Sequence, residues 1–189
     1  MPPFRITYNQ VNAATLHVQR EFTKLGLWHE ESRLLETNVY WCMIPQPFML
    51  DANGVFFHGT DFIDRLLGYK DGHIYIPQFM PTNLSPGTVF SLRDTIRHEY
   101  GHAFAHYYPE LIEHNPVFEE VFGGRYFSSE PIDMPEDAFV SEYAAGKPME
   151  DFAETFMFYI RRKGELLPRH TNRLLKRKWK FVERVIKQA

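Results

Sequence analysis

The chain has 189 residues, 44% of them hydrophobic and 16% aromatic, enough for one sizeable core and for one domain, or one domain with a cleft between two lobes. A net charge of -3 offers phosphate no overall attraction, so nucleic acid is not expected as the main partner. The single cysteine, Cys42 in "VYWCMIP", excludes an internal disulfide and a Cys-rich zinc site; its apolar neighbours suggest a buried thiol and a reducing compartment.

The N-terminal stretch "MPPFRITYNQVNAATLHVQREF" lacks a basic region followed by an apolar run, so no signal peptide is expected. No apolar stretch approaches the ~18 residues needed to span a bilayer. The expectation is a cytoplasmic protein, or one exported by a route without a recognisable signal. Residues 10–26 carry Val11, Ala14, Leu16, Val18, Phe22 and Leu25, a helical stripe ended by Gly26. Between 38 and 90, "NVYWCMI", "GVFFHG" and "GHIYIPQF" are short aromatic and β-branched runs separated by turn residues, and are expected as strands of a small sheet. From Thr88 the period becomes helical through Val89, Leu92, Ile96, Tyr100, Ala103 and Phe104, until Pro109 stops it. Residues 109–149 are rich in Pro and Gly and read as loop. Helices follow over about 150–162 and 171–187.

Residues 161–189 hold 11 Lys or Arg and 2 Glu, a local charge of +9, so the first 160 residues carry -12. A basic amphipathic helix can meet an acidic surface, a membrane or nucleic acid. Its Leu174, Leu175, Val182, Val185 and Ile186 instead suggest a packed apolar face with a solvated basic one.

The chemistry concentrates in "TIRHEYGHAFAH", residues 95–106. His98 and His102 stand four apart, hence on one helix face, where two imidazoles can share one Zn²⁺. Glu99, next to the first histidine, would project beside the metal and could take a proton from water. A catalytic zinc needs a third protein ligand and one open position. His106 continues the stripe, but lies about 12 Å along the axis from His98 at ~1.5 Å per residue, so it is expected in the core or behind the ligands. His114, in a loop past Pro109, would serve only if the turn doubled back. In "PMEDFAETF", Glu150 and Glu154 are one turn apart on a face that also carries Phe152, Phe156 and Ile160. One of these carboxylates can bind the metal while the other accepts a hydrogen bond from a ligand histidine.

These segments carry a resemblance. HEYGH, followed 48 residues after Glu99-Tyr100-Gly101-His102 by Glu150 in "EYAAGKPMEDFAETFMFYI", resembles the gluzincin metallopeptidases. It is similar more narrowly to bacterial zinc-binding metallopeptidases that pair an H-E-x-G-H helix with a P-x-E-D-[FW]-A-E-T-[FW] helix. The protease domain of anthrax lethal factor has the same layout, with a tyrosine seven residues before its ligand glutamate, as Tyr143 stands before Glu150 here. The resemblance covers roughly residues 88–189. It implies His98, His102 and Glu150 as metal ligands, Glu99 as general base, Glu154 behind a ligand histidine, and Tyr143 as hydrogen-bond donor to the oxyanion or leaving group. Met149 stands where a small residue is often found, and nothing corresponds to the substrate-binding regions of lethal factor.

The expectation is therefore one α+β, zincin-like domain over 1–189: a small mixed or antiparallel sheet plus the HExxH helix in 1–108, and a loop-rich, helical lobe in 109–189. It would bind one Zn²⁺ and hydrolyse peptide or protein substrates. "HIYIPQF", with Pro77, is expected as the sheet edge to which an extended substrate adds. The alternatives are a catalytically inactive zinc-binding domain that recognises a protein partner, and a nucleic-acid or membrane binder using residues 161–187. Oligomeric state is not written in these patterns.

Overall fold

Helix α1 (Tyr8–Lys24) begins at a reciprocal cap: the Thr7 hydroxyl accepts from the Gln10 backbone N–H, and Gln10 Oε1 accepts from the Thr7 N–H at 2.8 Å. It buries Val11, Ala14, Val18 and Phe22, and Gly26 leaves it at φ 78°. The computed structural model describes residues 4–43, 53–58, 70–80, 91–130, 132–168 and 172–189. The expected helix start at Thr88 and Val89 lies outside them.

The described residues contain five strands: β1 (Phe4–Arg5), which was not expected, and β2 (Val39–Cys42), β3 (Val55–Phe57), β4 (His73–Pro77) and β5 (Phe79–Met80), which fall on the three expected runs. β1 and β5 form an antiparallel pair. The larger sheet has the order β2-β4-β3, with β4 parallel to β2 and antiparallel to β3. The expectation that "HIYIPQF" forms an edge is wrong. β4 is the central strand, with Ile74 and Ile76 fully buried. Pro77 is tolerated because it stands at the end of the strand, opposite Cys42. Among the described residues β2 and β3 each have a strand neighbour on one side only, and β3 is the edge that borders the cleft. Cys42 is only half-buried, packed against the Phe57–Tyr75 pair rather than in the main core.

The remaining elements are helical: α2 (Leu92–Tyr107), α3 (Pro116–Phe122), α4 (Pro148–Arg161) and α5 (Arg173–Ile186), with 3-10 turns at Arg33–Glu36, Glu136–Ala138 and Tyr143–Ala145. The described residues are thus α+β, with five helices around a small mixed sheet. α2 opens with a second reciprocal cap, Ser91 with Asp94. α3 lies in the stretch expected to be loop. Its signals are local: Asn115 caps the Val117 N–H at 3.0 Å, Pro116 takes the first helical position, and Gly123 ends the helix at φ 77°. Seven residues are too few for an apolar period to show.

α2 and α4 meet without a side chain between them at Gly101. A Cβ there would stand 2.9 Å from Ala153 Cα. Beside this contact Phe22, Tyr100, Phe104, Phe152 and Phe156 form the aromatic heart of the core, Phe22 meeting Tyr100 edge to face at 4.9 Å. α5 covers α4 with Leu175, Phe181, Val182, Val185 and Ile186. One of its basic residues is not solvated: Lys178 Nζ lies 2.6 Å from Asp151 Oδ2, with both side chains 0% exposed. It also donates to the Ala138 carbonyl at 2.9 Å and sits 4.0 Å from the Phe139 ring. Arg97, also buried, joins α1 to α2 through Glu21 at 2.8 Å and Asp94 at 2.6 Å. No described helix is long and apolar enough to cross a membrane.

Two outcomes follow. Gly101→Val should destabilise the protein by roughly 2–3 kcal/mol, because the obstacle is backbone that no rotamer change removes; thermal unfolding reads it. Lys178→Met should cost about 3–5 kcal/mol by leaving the Asp151 carboxylate buried without a counter-charge, while Asp151→Leu combined with Lys178→Met should recover most of that loss. Urea midpoints of the two variants test the difference.

Candidate metal centre

α2 presents His98 and His102 one turn apart toward α4, and α4 presents Glu150 toward them. The two Nε2 atoms are 3.1 Å apart; Glu150 Oε2 lies 3.2 Å from that of His98 and 3.5 Å from that of His102. Four ligand atoms around a zinc at ~2.0–2.1 Å would be about 3.3 Å from one another. Each outer nitrogen is engaged from behind. His98 Nδ1 lies 2.8 Å from Glu154 Oε1, and the Ser141 hydroxyl donates to Glu154 Oε2 at 2.7 Å. His102 Nδ1 lies 3.0 Å from the Tyr126 hydroxyl.

With Nδ1 of His98 facing the Glu154 carboxylate, Nε2 is the nitrogen turned toward Glu150. Glu150 Oε2 is buried, and the two imidazole Nε2 atoms face it at 3.2 and 3.5 Å. A lone pair facing a buried carboxylate oxygen needs a cation between them, either a proton or a metal ion. The charges respond to the same geometry. Burial alone would lower the His98 pKa, but Glu150 and Glu154 raise it well above its usual value. Burial alone would raise that of Glu150, but His102 and His98 hold it far below the carboxylate range. An N₂O donor set of two imidazoles and one carboxylate suits zinc.

Glu99 is buried beside the histidines, and its Oε2 accepts the Phe56 N–H of β3 at 2.7 Å. Burial raises its pKa while His98 and His102 draw it back down. β3 comes this close because Gly54 has no side chain. A Cβ there would stand 2.8 Å from Thr95 Cγ2 and 3.2 Å from Glu99 Cγ. A cleft of about 250 Å³ opens over these groups, lined by Gly54, Val55 and Phe56 on the β3 side, by Met149 and Glu150 of α4, and by His58, His98, Glu99, His102, His106, Tyr126 and Tyr143. Tyr143, 55% exposed, holds its ring 5.8 Å from that of His98. Burial of its hydroxyl and the charge of Glu150 push its pKa up, so the phenol stays protonated. Burial and Glu150 do the same to Tyr126.

The structure thus brings together His98, Glu99, His102, Tyr143, Glu150 and Glu154. His114 lies elsewhere, an exposed side chain 3.8 Å from its neighbour Glu113. His106 is neither in the core nor behind the ligands: it is half-buried at the cleft wall, with Nδ1 3.1 Å from that of His58. Sequence reasoning missed Tyr126, Ser141 and the Phe56 backbone. Tyr126 and Ser141 come from segments with no period or motif, and the strand run that holds Phe56 does not say which group its N–H will meet.

Residues 91–171 match the family model described as "Putative zinc-binding metallo-peptidase". The match is less than half of the chain. It begins at the cap of α2, contains α2 to α4 and ends short of α5, so it leaves out the C-terminal helix that the resemblance had been expected to include. No curated protein and no solved structure matches the chain. Within 91–171 the protein is therefore similar to zinc-binding metallopeptidases.

Ser141→Ala should remove the donor that satisfies the second oxygen of a buried carboxylate, at a cost of about 1–3 kcal/mol. Urea unfolding of the zinc-free protein measures this apart from any effect on metal.

Proposed function

We propose that this chain is a zinc-dependent endopeptidase, a single zincin-like domain of the gluzincin kind that hydrolyses peptide or protein substrates. The observation that carries the reading is the convergence of the buried Glu150 Oε2 and two imidazole Nε2 atoms within 3.1–3.5 Å of one another. His98, His102 and Glu150 would hold one Zn²⁺. Zinc bound there supplies Lewis acidity, which polarises a carbonyl and acidifies water.

The chain's own groups do the rest. Glu154 and Tyr126 fix the two imidazole rings so that both Nε2 atoms face inward. Glu99 takes a proton from the attacking water as the new C–O bond forms, then passes it to the amine nitrogen as the C–N bond breaks. The Phe56 N–H keeps one Glu99 oxygen in place, leaving the other to handle the proton. Tyr143, protonated and partly exposed at the cleft, donates a hydrogen bond to the developing oxyanion. The substrate is expected to run through the cleft between β3 and Tyr143.

Wild-type protein should hold about one tightly bound zinc, sharply reduced in Glu150→Ala; metal analysis after dialysis reads this. Glu99→Gln should retain the zinc and lower kcat on a peptide library by 10²–10⁴. Full turnover in Glu99→Gln would end the general-base assignment.

A further inference from the structure

One turn beyond His102 on α2, about 6 Å along the axis, the cleft wall holds a second convergence of donors. His106 Nδ1 and His58 Nδ1 are 3.1 Å apart, the same separation as the Nε2 atoms of His98 and His102. Their rings stand at 90° with centroids 5.0 Å apart, so they converge on a point and do not stack. A carboxylate oxygen of Asp71 completes the group, and the three ligand atoms lie within 4.8 Å of one another. A hydrogen bond between two imidazoles needs only two rings. It gives no reason for a carboxylate to approach both nitrogens as well.

The three donors come from different parts of the chain and are held in place. His58 follows β3 and Asp71 precedes β4. The Gly72 N–H donates to the Phe57 carbonyl at 3.0 Å, which fixes these two flanking residues beside each other. The Tyr107 hydroxyl donates to the Gly72 carbonyl at 3.3 Å, tying that turn to the end of α2 next to His106. Gly72 is at φ 79°, and a Cβ there would lie 2.4 Å from the Tyr107 hydroxyl, so the turn packs this closely only as glycine. Phe127 stacks on the His58 ring at 5.1 Å and 22°, and Phe56 packs on that of His106 at 5.4 Å. Both rings are therefore oriented before any ligand arrives.

We propose that His58, Asp71 and His106 form a second divalent-metal site, for zinc or a similar borderline ion such as Co²⁺ or Ni²⁺. Two imidazoles and one carboxylate discriminate against Mg²⁺ and Ca²⁺, which take oxygen ligands. His58 and Asp71 are exposed and His106 is half-buried, so the ion exchanges freely with solvent, unlike one held at the buried His98–His102–Glu150 group. His58 and His106 line the same cleft as that group, so an ion here stands beside the expected path of a substrate. The word "second" rests on the zinc reading given above, but the site itself does not depend on it.

The test is equilibrium dialysis of the full chain against increasing Zn²⁺, with metal counted per folded chain, for wild type, His58→Ala, Asp71→Asn and Glu150→Ala. The wild type is expected to take up two equivalents, one tight and one weaker. His58→Ala and Asp71→Asn each should weaken the second by at least about tenfold and leave the first unchanged. Both replaced side chains are exposed, and circular dichroism checks that the variants fold. Saturation of the wild type at one equivalent overturns the proposal. So does a second equivalent that is unaffected in both variants, or loss of both equivalents in His58→Ala. If Glu150→Ala keeps its tight equivalent, the His98–His102–Glu150 assignment fails and this one is untouched, because a weaker equivalent lost only in His58→Ala and Asp71→Asn still supports it.

Discussion

The contact between Gly101 and Ala153 is the constraint on which the site depends. His98, Glu99 and His102 belong to one helix, and Glu150 and Glu154 to another. Hydrogen-bond distances of 2.8–3.5 Å between these two sets are reached only if the helix axes come unusually close. Residue 101 lies between the two histidines on α2, and Ala153 between the two glutamates on α4. A residue without a side chain facing one with a single methyl lets the backbones touch, with 2.9 Å from a hypothetical Cβ to Ala153 Cα. The aromatic residues on either side, Tyr100, Phe104, Phe152 and Phe156, fill the space around this contact and stiffen it.

Charge is then managed in layers around that contact. The carboxylate of Glu154 sits behind His98 and is itself held by Ser141, so the imidazole is oriented by a group that is in turn oriented. Asp151, on the same helix, points the other way and is neutralised by Lys178 from α5. Three acidic residues within five positions of α4 thus divide between two partners, Glu150 and Glu154 meeting the histidines and Asp151 meeting Lys178. Without Lys178 and the His98–His102 pair, all three would carry uncompensated buried charge. The basic C-terminal helix is therefore joined to the site electrostatically as well as by packing, although it lies outside the segment similar to metallopeptidases.

On the other side of α2, the sheet contributes through its backbone. β3 approaches because Gly54 leaves room, and its Phe56 N–H meets Glu99. The same strand carries His58 past its end, to the point where the turn before β4 and the C-terminal end of α2 converge. One short edge strand thus borders both groups of donors that line the cleft.

Helical period and residue chemistry were enough to mark His98, Glu99, His102, Glu150 and Glu154 as candidates, because i to i+4 spacing puts side chains on one face whatever the helix packs against. The three central strand runs and four of the five helices were legible for the same local reason. α3 was not, since it is held by a cap, a proline and a glycine rather than by an apolar repeat. Pro77 misled because proline is barred only from the middle of a ladder, and the sequence does not say where a strand ends. Lys178 sat in a run of basic residues and gave no sign that it would be buried, since its partner Asp151 is 27 residues away. Tyr126, Ser141 and Asp71 come from segments with no period, and His58 stands at the end of a strand run that gives no sign of what it meets. Their places were decided by tertiary packing alone, because a contact between residues far apart in the chain depends on how closely the helices and strands between them approach.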